Sequence, residues 1–158
     1  MTNCHIRPLA THEYAILADL LYEALYIPEG EERPPRSVIE QPELSLYIED
    51  FGVNRHDHAW VIDLQGTLAG GAWVRIMDDY GHVDDETPSL AIAIFESYRG
   101  RGYGRALMTH LMQDLKSKGY TQLSLSVIRA NYAYRLYQSL GFQTVADHGD
   151  ELVMLCQL

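Results

Sequence analysis

Apolar residues recur along this chain with two distinct periods, and the changes of period divide it into elements. The stretch Ile6–Leu9 reads as a short first strand. From Tyr14 the spacing turns helical through Leu17, Ala18, Leu21 and Leu25, which predicts a helix over 12–25 capped by Thr11. Prolines and a glycine in "IPEGEERPP" (27–35) interrupt it. A second helix is expected from Pro42, with Leu44, Tyr47, Ile48 and Phe51 on one face and Gly52 at its end. Beyond residue 58 the period becomes two. "HAWVIDL" and "TLAGGAWVRIM", joined by Gln65-Gly66, read as an antiparallel hairpin, with Gly70-Gly71 marking a bulge. The unbroken apolar run "SLAIAIF" (89–95) predicts a central strand buried on both faces. A helix to Lys118 follows, its apolar face Leu107, Met108, Leu111, Met112 and Leu115. The strand "LSLSV" (123–127), a short helix in "NYAYRLYQSL" and the strands "FQTVA" and "ELVMLCQL" complete the chain. The expected order is β-α-α-β-β-β-α-β-α-β-β, an α/β fold with a mixed sheet in one domain spanning 1–158.

Composition narrows the class of molecule. A formal net charge of -10 over 158 residues argues against a nucleic-acid partner, because phosphate binding relies on clustered Lys and Arg. It is compatible with a cationic substrate. No apolar run approaches the roughly 20 residues that span a bilayer, and the N-terminal "MTNCHIRPLATHEY" lacks the apolar stretch of a secretory leader. Cys4 and Cys156, one near each end, read as two thiols in a reducing cytoplasm rather than as a disulfide. Self-association to a homodimer is left open.

Against this acidic background, "SYRGRGYGRAL" (97–107) crowds three arginines among three glycines. It lies between the central strand and a helix. The first amides of a helix lack internal partners and carry partial positive charge, so such a turn suits an anion. Gly102 and Gly104 let a phosphate approach the backbone closely. Arg99, Arg101 and Arg105 add charge, and at least one is expected to contact a phosphate. Two familiar phosphate motifs do not fit. No Lys-Ser or Lys-Thr follows the glycines, and Leu107 stands where a dinucleotide fingerprint needs its third glycine.

Further along, "ANYAYRLYQSLGF" (130–142) places Leu136-Tyr137 shortly before Gly141-Phe142. Together with Arg99-x-x-Gly102-x-Gly104 behind an apolar strand, this resembles the GNAT N-acetyltransferase superfamily, and the element order resembles it across the whole chain. The resemblance implies transfer of an acetyl group from acetyl-CoA to an amine acceptor by direct attack in a ternary complex. It implies that main-chain groups of Ile92, Ala93 and Ile94 meet the pantetheine arm, and that amides of Gly100, Arg101, Gly102, Tyr103, Gly104 and Arg105 hold the pyrophosphate. Tyr137 is implied as the acid that protonates the departing thiolate. The family's asparagine often stands where Ala130 is found, so Asn131 is read either as a cofactor contact or as a helix cap.

An amine with a pKa near ~10.4 costs about 4–5 kcal/mol to present neutral at pH 7, so a proton acceptor is expected. The family often has a glutamate at the start of the central strand. Ser89 stands there and is a poor base, which leaves Glu86, Asp85 and His82 in the preceding loop, or Glu96 beyond the strand. Acidic loops (Glu29, Glu31, Glu32; Asp78, Asp79, Asp84, Asp85, Glu86) and the aromatics Tyr26, Trp73 and Tyr80 point to a cationic acceptor such as a polyamine, an amino sugar or a peptide amine. The pair His56 and His58 lacks an evident third ligand, and the family's chemistry needs no metal. The alternative is a non-catalytic regulatory module that binds acyl-CoA.

Overall fold

In the computed structural model, which describes residues 4–158, seven strands form one sheet. The three residues at the head of the stretch read as lacking a leader lie outside the described part. The strands are β1 (Cys4–Pro8), β2 (His58–Leu64), β3 (Thr67–Arg75), β4 (Ser89–Ile94), β5 (Gln122–Ile128), β6 (Gln143–Asp147) and β7 (Glu151–Gln157). Their spatial order is β1-β2-β3-β4-β5-β7-β6. The helices are α1 (Ile16–Ala24), α2 (Pro42–Ser45), α3 (Tyr103–Ser117) and α4 (Ala133–Ser139). This is the mixed α/β sheet in the expected order. Every neighbouring pair is antiparallel except β4 and β5.

Side-chain alternation sends successive residues to opposite faces of the sheet. On β2, Trp60 and Ile62 join the core beneath α3 with Leu107, Met108, Leu111 and Leu115, whereas Val61 joins the core beneath α1 with Leu17, Leu20 and Leu21. Strand β3 repeats the pattern, with Ala72 and Val74 on the α3 side and Trp73 on the α1 side. Burial on both faces explains why β2 to β4 read as apolar runs. Strands β5 and β7 contribute Leu123, Leu125, Val127, Leu152 and Met154 to the α3 core alone, so β5 alternates with serines. Cys4 is exposed, Cys156 is buried, and both are free thiols. Among the described residues no helix is long and apolar enough to cross a membrane.

Three local expectations are corrected. Thr11 does not cap a helix running from 12. Thr11–Glu13 forms a separate 3-10 turn, closed by the Ala10 amide donating to Glu13 Oε1 at 2.9 Å, while Arg7 holds the same carboxylate at 2.8 Å. The second helix stops at Ser45 instead of reaching Phe51. Its would-be continuation is taken by β3: the Leu46 carbonyl accepts from Arg75 Nη1 at 2.9 Å, and the Tyr47 carbonyl accepts from the Trp73 indole at 2.9 Å. Tertiary donors have displaced helical ones. The bulge on β3 falls at Ala69, just before the glycine pair, where the register with β2 shifts between Ile62 and Asp63.

Candidate active site

Strand β4 runs alongside β3 from Ser89 to Ile94, but it pairs with β5 only through Ser89 and Ser124. Beyond that point the two strands part. The loop before β4 packs where they part. Gly81 is lodged against both strands, and Ser124 Oγ donates to its carbonyl at 2.8 Å. A Cβ on Gly81 would stand 2.8 Å from Ser89 Oγ and 3.0 Å from both the Leu125 carbonyl carbon and the Ser126 nitrogen. Only glycine fits there.

The parted strands form the walls of a cleft of about 820 Å³. Ala91, Ile92, Ala93 and Ile94 line one wall, and Ser126, Val127 and Ile128 the other. One end opens onto the turn before α3. Gly100 and Gly102 have φ of +75° and +83°, a conformation that favours glycine, and a Cβ on either would meet no atom within 4 Å. The Ala106 amide is the first to find a helical partner, the Gly102 carbonyl at 3.1 Å. The amides of Tyr103, Gly104 and Arg105 before it have no intrahelical partner. This open, amide-rich turn at the end of a slot with an unpaired strand edge can receive an extended chain along the strand and an anionic group at the helix start.

The expected residues distribute unevenly. Ile92, Ala93, Ile94, Arg99, Gly104, Asn131 and Tyr137 line the cleft, while Gly100, Arg101, Gly102, Tyr103 and Arg105 do not. Arg99 donates to the Ile94 carbonyl at 2.9 Å and to Glu23 at 2.7 Å, so its guanidinium bridges the turn and α1. Arg101 lies over the Tyr98 ring, and Arg105 donates to Ser139 Oγ at 2.9 Å. Both are exposed. Asn131 lines the cleft, and its Oδ1 accepts from the Ala133 amide at 2.9 Å, although the capping position of α4 is Tyr132. Tyr137 on α4 is 7% exposed, and burial pushes its phenol up to about 12, so it keeps its proton at neutral pH.

The structure does not bring Glu86 or Glu96 to the cleft; both are exposed, and the Glu86 amide donates to Asp84 within its own loop. The acidic residues Glu29, Glu31 and Glu32 are exposed and do not line it either, nor do Asp78, Asp84 and Asp85. Trp73 is fully buried and offers no aromatic face, whereas Tyr26 and Tyr80 do line the cleft. His56 and His58 converge on the Tyr120 hydroxyl, at 2.7 and 3.2 Å. Sequence reasoning missed Tyr47, Glu23 and Glu151 as lining residues. Tyr47 reads as one more apolar position of a helix. No local signal marks it.

Comparison with known proteins decides the family. The model of the acetyltransferase (GNAT) family matches residues 18–142. The chain belongs to the GNAT family. Among curated relatives, the uncharacterized N-acetyltransferase YycN of Bacillus subtilis is 32% identical over 90 residues, 56% of each chain. The [ribosomal protein bS18]-alanine N-acetyltransferase of Escherichia coli K12 is 42% identical over 59 residues, 37% of this chain and 40% of that one. The aligned region thus spans about half the length of these relatives or less. Among solved structures, the PaiA N-acetyltransferase of Thermoplasma acidophilum in complex with coenzyme A shares the GNAT fold. It superposes with a TM-score of 0.72 over 99% of each chain at 19% identity.

Proposed function

We propose that this GNAT protein transfers an acetyl group from acetyl-CoA to an amine nitrogen by direct attack in a ternary complex. The observation that carries this reading is the parting of β4 from β5 into a cleft that ends on the amide-rich turn of α3. The edge of Ile92–Ile94 that faces the cleft offers to the pantetheine amides the main-chain groups that Arg99, bonded to the Ile94 carbonyl, leaves free. The turn from Gly100 to Arg105 receives the pyrophosphate, with Arg101 and Arg105 exposed beside it. Tyr137, protonated and walled in by the cleft, gives its proton to the departing sulfur. Confinement of both substrates in one slot supplies much of the rate.

The acceptor enters the part of the cleft away from the turn, among Tyr26, Ile27, Leu44, Tyr47 and Tyr80 with the Glu151 carboxylate. Aromatic faces and one carboxylate suit an alkylammonium group. A peptide α-amine is the first acceptor to try, because a relative matched over part of its length bears the name of a ribosomal-protein alanine N-acetyltransferase.

The test is acetyl-CoA turnover against spermidine, glucosamine and an alanine-initiated hexapeptide, read by mass spectrometry of the products. Acetylated amine from at least one, with a roughly 100-fold or larger loss of kcat in Tyr137→Phe at unchanged coenzyme A affinity, supports the reading. Heat of coenzyme A binding without any acetylated amine would replace the transferase by an acyl-CoA-binding regulatory module.

A further inference from the structure

We propose that Tyr47 meets the acceptor amine and passes its proton to Asp79, a carboxylate seated behind the cleft wall. This rests on the transferase reading above and names the groups that prepare its acceptor.

Asp79 sits in the loop before β4 and accepts from two hydroxyls through the same oxygen: Ser89 Oγ at 2.7 Å and Tyr47 Oη at 3.0 Å. Its other oxygen, Oδ1, is buried and has no partner among the described residues. A buried carboxylate oxygen without a donor is uncommon in a folded protein, and it calls for a role. Asp79 itself does not line the cleft, but Tyr47 does. The Tyr47 phenol is therefore the bridge between the two.

The bridge is held from behind. Trp73 donates its indole N–H to the Tyr47 carbonyl, and Arg75 donates to the Leu46 carbonyl, both at 2.9 Å. Two donors from β3 thus fix the segment that carries the phenol. Ser89 is the residue through which β4 pairs with β5, so the carboxylate stands where the cleft begins. The absence of a side chain on Gly81 lets the loop lie close enough to place it there. Burial, then the charge of Asp79, pushes the Tyr47 phenol far above its ordinary range. It therefore holds its proton at any working pH and relays rather than stores one. The other groups facing this phenol are the Ser126 hydroxyl of β5 and the Glu151 carboxylate of β7. In the Asp79 loop, the His82 amide donates to the Asp79 carbonyl at 3.2 Å, and the His82 ring faces Asp85.

The step balances as follows. An ammonium N–H donates to Tyr47 Oη; its proton moves to that oxygen as the phenol proton moves to Asp79 Oδ2. The products are a neutral amine, an intact tyrosine and a carboxylic acid, with no change of oxidation state. The amine then forms the C–N bond as the C–S bond breaks. The second proton, shed by nitrogen as the amide forms, goes to the Tyr137 oxygen in place of the one given to sulfur, and Asp79 returns its proton through Tyr47 to solvent.

The experiment measures kcat and KM from pH 6 to 9.5 for the parent, Asp79→Asn, Tyr47→Phe and Ser89→Ala, using whichever of spermidine, glucosamine or the alanine-initiated hexapeptide the parent acetylates fastest. Coenzyme A calorimetry and thermal melts run alongside. We expect kcat at pH 7 to fall about 100-fold in Asp79→Asn and Tyr47→Phe, with KM for acetyl-CoA within about twofold. Their rates should climb about tenfold per pH unit while the parent levels off, because only free amine then reacts. Ser89→Ala keeps the path and should lose less, with the parental profile. A merely structural role would lower the melting temperature without steepening that slope. If Asp79→Asn does not fold, Tyr47→Phe decides, since its ring preserves the packing. Variants that keep the parental slope and kcat overturn the relay alone. A parent that binds coenzyme A but acetylates none of the three amines overturns the transferase reading, and the relay falls with it.

Discussion

Along one edge, β4 is paired with β3 over its whole length, from Gly70 opposite Ile94 to Arg75 opposite Ser89; along the other it meets β5 only where Ser89 faces Ser124. The side chains on both flanks come from the same apolar run, since they point to the faces of the sheet and not to its edges. Edge pairing is a main-chain property, and here the loop leading into β4 lodges Gly81 against both strands where they part. Unpaired strand edges invite adventitious pairing, and proteins commonly cover them. This one is sunk inside a cleft, where a ligand rather than another chain can complete it.

The largest expected effect breaks the paired side. Trp73 is fully buried on β3 and its indole anchors Tyr47, so Trp73→Ala should cost about 3–5 kcal/mol in urea unfolding. Gly81→Ala attacks the parted side. The new methyl would press on Ser89 Oγ and on the β5 backbone, so stability should fall by about 1–3 kcal/mol and kcat should drop as the loop withdraws Asp79. Gly102→Ala tests the turn at the end of the slot. With φ at +83° and open space around it, the cost should be about 1–2 kcal/mol, with weaker coenzyme A binding in calorimetry.

The smallest effect belongs to β2, away from the cleft. Burial, then the nearby Lys118 charge, lowers the His58 pKa from 6.5. Below about pH 6.5 the unfolded chain therefore binds a proton that the folded one does not, and stability falls as pH falls. His58→Gln should flatten that slope in urea midpoints measured between pH 7 and 5.

Much of this fold is legible in the sequence because its signals are local. The hairpin at Gln65-Gly66, the apolar stripe of α3 and the glycine turn each occupy one contiguous stretch. The two motifs also point to Ile92–Ile94, Arg99, Gly104, Asn131 and Tyr137, all of which line the cleft. The proposed proton acceptor is a different matter. Glu86 and Glu96 are near β4 in sequence yet face solvent, whereas Asp79 is ten residues before Ser89 and reaches it by a fold of the loop. Tyr47 joins them from another segment, 32 positions from Asp79. Its helix is cut short by Trp73 and Arg75, residues far along the chain. Contacts made across such separations leave no periodicity to read.

Amide hydrogen exchange, with and without coenzyme A, tests the central contrast most directly. The account predicts that peptides covering 89–94 and 100–105 gain protection when coenzyme A is added, while the β2–β3 hairpin is protected in both states and does not change. Unaltered exchange in both of those peptides, at coenzyme A concentrations where calorimetry shows saturation, would contradict it.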